Sequence, residues 1–274
     1  MLYLGSDIGY FIFYHLARYR RKVVRDNLVK SFPEKSDREI KMIEKQFYHN
    51  FCDVFIEAYK MRKMQPSEML ERITVTNPEL IEDLYGKGRN VLLAMQHSSN
   101  WEWFCNIMGQ MIPHRSYTVY KRLKNKHFND IVYKLRTNHT DNAQMLIEDR
   151  AAKTTIGNLK DGPVAVLLIA DQSPKGAETD YWTDFLHRDT CWYTGLEKLA
   201  KKYDYSVVYA EMNREERGRY SVTFKLICEN PNMIEDGFIL EQYVRHVERF
   251  IQDNPDNWLW SHRRWKHSRK DKAS

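Results

Sequence analysis

The sequence predicts an α/β protein: a mostly parallel central sheet flanked by helices, preceded by a helical segment suited to a membrane surface. Three observations carry that prediction. Two apolar runs, NVLLAM (90–95) and PVAVLLIAD (163–171), are nearly unbroken, as strands covered on both faces must be. Further β-rich runs read as strands: ITVTN (73–77), SYTVY (116–120), SVVYAEM (206–212) and YSVTFKLI (220–227). Stretches with helical periodicity separate them, and that alternation is what a parallel sheet with crossover helices requires.

Taken in order, the first seventeen residues, MLYLGSDIGYFIFYHLA, are apolar and aromatic but include Asp7 and His15. As a helix they extend roughly 25 Å, short of the roughly 30 Å hydrocarbon core of a bilayer. No cation precedes them and no small-residue cleavage site comes after, so they lack the marks of a secretory signal. Tyr3, Tyr10 and Tyr14, followed by RYRRK (18–22), fit a segment lodged at a membrane interface with its basic side toward the cytoplasm. A buried first helix is the alternative. Over 37–63, Ile40, Ile43, Phe47, Phe51, Val54, Phe55, Ala58 and Tyr59 recur near a 3.6 spacing, an amphipathic helix capped by Ser36 or Asp37. Further helical patterns fall at 100–111, 125–138, 145–161, 190–203 and 235–253. YSVTFKLI alternates, like a strand nearer an edge. There is no internal repeat and no Pro/Gly linker, so the chain divides into a membrane-associating segment (1–35) and one catalytic domain (36–274).

Composition narrows the classes. With 274 residues, 42% hydrophobic, 13% aromatic and 29% charged, the chain is long enough for a substantial core. Its mean hydropathy of −0.67 is not that of a polytopic membrane protein. Cys52, Cys105, Cys191 and Cys228 form no CxxC pair, which argues against a disulfide scaffold or a cysteine-built zinc site and fits a reducing compartment. The net charge of +6 is unevenly placed. Residues 18–25 hold five cations and no acid, and 262–274 hold six cations against Asp271. Such blocks suit an anionic surface, or are simply solvated ends. Against nucleic acid, no RNP, KH or zinc-finger pattern accompanies them.

Ligands in sheets of this type collect at the carboxyl ends of the strands. NVLLAM ends in Gln96-His97-Ser98-Ser99-Asn100-Trp101-Glu102, leading into a helix that Ser98, Ser99 or Asn100 is able to cap. A strand–helix turn allows His97 and Glu102 to meet, the carboxylate fixing the imidazole tautomer and stabilising the imidazolium. That pair suits a general base acting on a substrate hydroxyl. Taken alone, H-x4-E also describes a half-buried structural histidine.

HSSNWE resembles the H-x4-D/E motif of glycerolipid-type acyltransferases, and its surroundings resemble the late acyltransferases of lipid A biosynthesis. The likeness covers nearly the whole chain. It runs through RYRRKVVRDNLVKSFPEKSDRE (18–39), NVLLAMQHSSNWEW, VYKRLKN (119–125), LR (135–136), LKDGPVAVLLIADQSPKG (159–176), TDFLHRDTCWYTGLEKLAKKY (183–203) and NWLWSHRRWK (257–266). The resemblance implies a glycerolipid acyltransferase-like fold with His97 as base and Glu102 as its acidic partner. It implies Arg136 beside the reacting centre, binding phosphate or the oxyanion, although LRTNHTDN lacks the family's usual Gly-containing segment. Asp171 and Gln172 match an acidic strand-end motif that organises the site; a turn or helix cap is the plain alternative for Asp171. Arg122, within VYKRLKN, is a further substrate-binding candidate. His262, Arg263, Arg264 and Lys266 match a C-terminal basic motif that grips the anionic acceptor or the carrier, a helix end whose cations answer the dipole being the plain alternative. Trp258, Trp260 and Trp265 are core or an acyl groove.

The activity implied by the resemblance is transfer of a fatty acyl chain from acyl carrier protein to a hydroxyl of a phosphorylated glycolipid, a lipid A precursor. The expected place is the cytoplasmic face of the inner membrane, with no metal or other cofactor. Two alternatives stay open. The same chemistry applies to a lysophospholipid, aminolipid or other glycolipid, although no F-P-E-G-T-R motif comes after the second strand. The other is a non-catalytic basic protein bound to a membrane.

Overall fold

The computed structural model describes residues 2–120, 125–136, 143–147, 156, 162–174 and 180–269. Its chain begins with α1 (Leu2–Tyr10), which runs into a wider π-helical turn at Phe11–Leu16, then α2 (Arg21–Ser31) and the long α3 (Asp37–Met61). Ser36 caps α3 in a capping box with Glu39, satisfying two of the orphan donors at the helix start. After α4 (Pro66–Leu70) come β1 (Ile73–Val75), α5 (Glu79–Gly86), β2 (Val91–Met95), α6 (Trp101–Met111), β3 (Arg115–Tyr120), α7 (Lys126–Arg136), β4 (Ala143–Ile147) and β5 (Val164–Ile169). A hairpin of β6 (Tyr181–Phe185) and β7 (Arg188–Trp192) precedes α8 (Gly195–Tyr203), β8 (Ser206–Glu216), β9 (Arg219–Cys228) and α9 (Phe238–Asp253).

Seven strands form the central sheet in the order β1-β9-β8-β2-β5-β3-β4. Every pairing is parallel except β8 with β9. The two apolar runs are neighbours at its middle, β2 lying between β8 and β5. Alternate residues of these strands feed two cores: Leu92, Ala94, Val166 and Leu168 face α8, α9 and the aromatic side of α3. Val91, Leu93, Met95, Ala165 and Leu167 face α6, with Met61 at the end of α3 and Met64 just after it. Burial on both faces is why these two runs show no alternation.

Two helical expectations need correction. The pattern at 145–161 opens in a strand, since β4 pairs with β3 from Ser116↔Ala143 to Tyr120↔Ile147; apart from Ile156, its remainder lies outside the described residues. The pattern at 190–203 begins in β7, and the helix starts only at Gly195. The β6–β7 turn places Leu186 and His187 at φ 51° and 62°, a left-handed pair made without the Asn-Gly or Asp-Gly that normally announces such a turn. The expected near-edge strand, β9, sits one position in, and only the three residues of β1 cover it.

The N-terminal helix has two unlike faces. Gly5 and Gly9 turn toward α3, where their backbones pass close to Ile56 and Cys52. Leu4, Ile8, Phe11, Ile12, Phe13 and Leu16 are exposed, and Phe55 and Tyr59 of α3 extend the apolar surface. No helix among the described residues is long and apolar enough to cross a membrane.

Candidate active site

Parallel register builds the site. Met95 is paired with Ile169 at the ends of β2 and β5, and Ala170 donates its N–H to the Met95 carbonyl at 3.2 Å. Two residues beyond each partner stand His97 and Asp171. The Asp171 Oδ1 lies 2.6 Å from His97 Nδ1, and its Oδ2 accepts the His97 backbone N–H at 3.0 Å. The buried indole of Trp258 donates to the same Oδ2 at 2.7 Å. Burial by itself would raise the Asp171 carboxyl. The His97 ring and these donors outweigh it and hold the group below the usual carboxylate range. An ionised carboxylate only accepts, so Nδ1 carries the hydrogen and, in the neutral ring, Nε2 is the accepting lone pair. The Gln172 amide stands 3.3 Å from that Nε2.

Glu102 does not supply the hydrogen bond to His97. It is held by Arg136 at the end of α7, Nε donating to Oε2 at 2.7 Å and Nη2 donating to Oε1 in a bidentate pair. Burial would raise Glu102, but the guanidinium overrides it and keeps the carboxyl low. Trp101 stands between the two halves: its indole donates to Glu102 Oε1 at 3.1 Å, and its ring meets the His97 imidazole edge-on at 5.4 Å. The expected pairing of His97 with Glu102 is therefore corrected to His97–Asp171 and Glu102–Arg136. In sequence, the adjacent carboxylate is the obvious partner. The register that selects the distant one belongs to the sheet.

The turn between His97 and α6 is pinned from several sides. Asn100 caps α6, its Oδ1 accepting from Trp103 N at 3.1 Å. Ser99, at φ 51°, donates its hydroxyl to the Met212 carbonyl at 2.8 Å. The closing motif lies across the turn like a short strand: Ser98 bridges Trp258, Ser99 N donates to the Asn257 carbonyl and Leu259 N to the His97 carbonyl. The segments that carry the two basic blocks, far apart in sequence, meet here. Asn27 of α2 donates to the Trp260 and His262 carbonyls, and Arg20 donates to that of Ser261.

The remaining predicted residues separate by environment. His262 accepts from Ser173 N at 3.3 Å, beside the end of β5, and burial pushes it down to about 4, so it is neutral at pH 7. Arg263 is exposed. Arg264 is fully buried, donating to the Cys191 carbonyl at 2.6 Å with its guanidinium over the Trp192 ring, 4.4 Å from the centroid. That places it inside the core rather than on a surface that a lipid headgroup reaches, a correction to its expected role. Trp258 and Trp260 are buried in the same core, Trp258 with a polar duty toward Asp171 that residue type alone did not indicate. Arg122 lies outside the described residues.

A histidine with a buried carboxylate behind Nδ1 and its Nε2 facing the Gln172 amide, set at the ends of parallel strands, is equipped to take a proton from a hydroxyl. This chain belongs to the bacterial lipid A biosynthesis acyltransferase family, whose model matches residues 1–267. It is thus an acyltransferase of lipid A biosynthesis. No curated protein matches it.

Proposed function

We propose that the protein moves a fatty acyl chain from an acyl thioester, carried by acyl carrier protein, to a hydroxyl of a phosphorylated lipid A precursor. The observation that carries this reading is the His97–Asp171 pair at the carboxyl ends of β2 and β5, in a chain matched by the family almost end to end. His97 Nε2 takes the hydroxyl proton as the oxygen attacks the thioester carbonyl, displacing the Gln172 amide from its lone pair. Asp171 holds the ring and stabilises the imidazolium, a contribution of about 10²–10⁴-fold for general-base assistance. Two of the Arg136 guanidinium nitrogens are engaged by Glu102. The cation so fixed meets the charge that develops on the carbonyl oxygen, where preorganised donors are worth most. Collapse expels the thiolate, which leaves with the proton from His97.

The place of reaction is the cytoplasmic face of the inner membrane. Supporting this are the exposed apolar residues of the N-terminal helix and the nearby cations Arg18, Arg20 and Lys22, an arrangement suited to lying in an anionic interface. The acidic carrier fits a basic face by charge complementarity, and Arg263 and Lys266 of the closing motif are exposed.

The test is acyl transfer in detergent micelles with mixed acyl–carrier-protein donors and a tetra-acylated lipid A precursor, read by mass spectrometry. The expected result is a gain of one acyl chain with the wild type and none with His97→Ala. Thioester consumed only when bulk membrane lipid is added would move the acceptor to another lipid. No thioester turnover with any lipid would overturn the reading.

A further inference from the structure

We propose that Glu57 is a positioning residue for acyl transfer: through Asn100 it fixes the turn that carries His97 and Glu102, and through Tyr3 it ties that turn to the N-terminal helix. The proposal rests on the reaction proposed above.

Glu57 belongs to α3, is fully buried, and forms no ion pair among the described residues, although the Arg214 charge reaches it. Burial raises the Glu57 carboxyl, so holding a carboxylate here without an ion-pair partner is costly, and an apolar side chain would fill the space at less expense. It is instead satisfied by three donors. Asn100 Nδ2 and Tyr220 Oη donate to Oε2 at 2.7 and 2.6 Å, and Tyr3 Oη donates to Oε1 at 2.9 Å. The backbone carbonyl of Glu57 also accepts the Trp103 indole N–H at 3.1 Å.

These bonds have a direction. An asparagine amide is able to face either way, and only an acceptor beyond Nδ2 keeps Oδ1 pointed at the first turn of α6. Glu57 is that acceptor, so the cap of α6, and with it the angle at which the chain leaves His97 and enters the turn bearing Glu102, depends on a carboxylate 43 residues away. The Tyr3 link is built to the same standard. The ring lies under the Arg217 guanidinium, 4.5 Å from its centroid, and Gly218, at φ 78°, leaves the space the hydroxyl needs: a Cβ there would fall 2.1 Å from Tyr3 Oη. The helix that presents Leu4 and Ile8 outward thereby contacts the catalytic turn through a single intervening side chain.

Asn100→Asp separates positioning from mere capping. Aspartate caps a helix as well as asparagine does, so its cost here arises from opposing Glu57. The expected outcome is a kcat lowered by about 10²-fold, as for a small displacement of reacting groups, with KM within about twofold. Adding Glu57→Gln restores a donor–acceptor pair with the charge exchanged. The double variant is expected to regain at least about tenfold in kcat and to restore the amide hydrogen-exchange protection of residues 97–103 that the single variant loses. Tyr3→Phe is expected to lower kcat by about fivefold, the worth of one hydrogen bond. Asn100→Asp with wild-type kcat and protection, or a double variant no better than Asn100→Asp, would overturn the role of Glu57. An unchanged kcat in Tyr3→Phe would overturn the link to the N-terminal helix. Failure of the wild type to transfer acyl groups counts against the proposed reaction instead, and the exchange measurement still decides the positioning.

Discussion

Asp171 lies 74 residues beyond His97, yet its carboxylate makes two hydrogen bonds to it, with the ring Nδ1 at 2.6 Å and with the backbone N–H at 3.0 Å. The second bond fixes where the residue sits and the first fixes how its ring turns. One side chain thus sets both the position and the tautomer of the base. Asp171→Asn is expected to keep the backbone contact but to present an amide able to favour the wrong tautomer. The expected loss is about 10²–10⁴-fold in kcat with a near-normal KM. Steady-state kinetics on the variant check this, and a kcat within about threefold of wild type would remove Asp171 from the mechanism.

The Glu102–Arg136 pair gives a different signature. Both side chains are mostly buried, so removing one strands the other. Glu102→Gln and Arg136→Gln are each expected to destabilise the fold by about 3–5 kcal/mol, and the double substitution to recover much of that loss. Activity is expected to stay low in all three, because the cation is then absent or misplaced. Urea unfolding of the four proteins forms the cycle, and simple additivity of the two single effects would mean that the pair is not coupled.

Acid sensitivity is expected to trace partly to His262. Its pKa is about 4 in the fold, against 6.5 for an unburied imidazole. Between those values the unfolded chain binds the proton and the folded chain does not, so stability rises with pH across this window. The contribution is complete above about pH 6.5 and is lost as the pH falls toward 4. His262→Gln keeps an acceptor for Ser173 N but removes the titration. On acidification from neutral pH to about pH 4 the wild type is therefore expected to lose more stability than the variant. Thermal unfolding across this range reads the difference, and parallel losses would assign the acid sensitivity elsewhere.

The exposed face of the N-terminal helix is expected to carry membrane binding. Burying a Phe or Leu is worth about 1.5–3 kcal/mol, so Phe11→Ser with Leu16→Ser is expected to weaken binding to anionic vesicles by at least about tenfold. Arg18→Gln with Lys22→Gln is expected to weaken it through charge, and salt is expected to reduce the binding of the wild type more than that of this variant. Flotation assays at two ionic strengths read both effects. Undiminished binding by the Phe11/Leu16 variant would place the contact on another surface.

Much of this protein is written locally. Periodicity marks α3, α6 and α9, because a helix buries one face and its own residues record which. The unbroken runs of β2 and β5 mark the centre of the sheet, since strands covered on both sides have no polar face to show. Position alone puts His97 at a strand end, and the ordered motifs along the chain point to the acyltransferase family. The turn that joins β6 to β7 hides because non-glycine residues occupy its left-handed positions, and β4 hides because a five-residue strand leaves little pattern against its flanks. Pairing is what the tertiary structure decides. Asp171 rather than Glu102 reaches His97 because β2 and β5 run in parallel register, Arg264 is buried because the closing segment folds back over β7, and Glu57 finds Asn100 because α3 lies against α6. Each is a contact between residues distant in sequence, and hydrogen bonds depend on separation in space, which no spacing along the chain encodes.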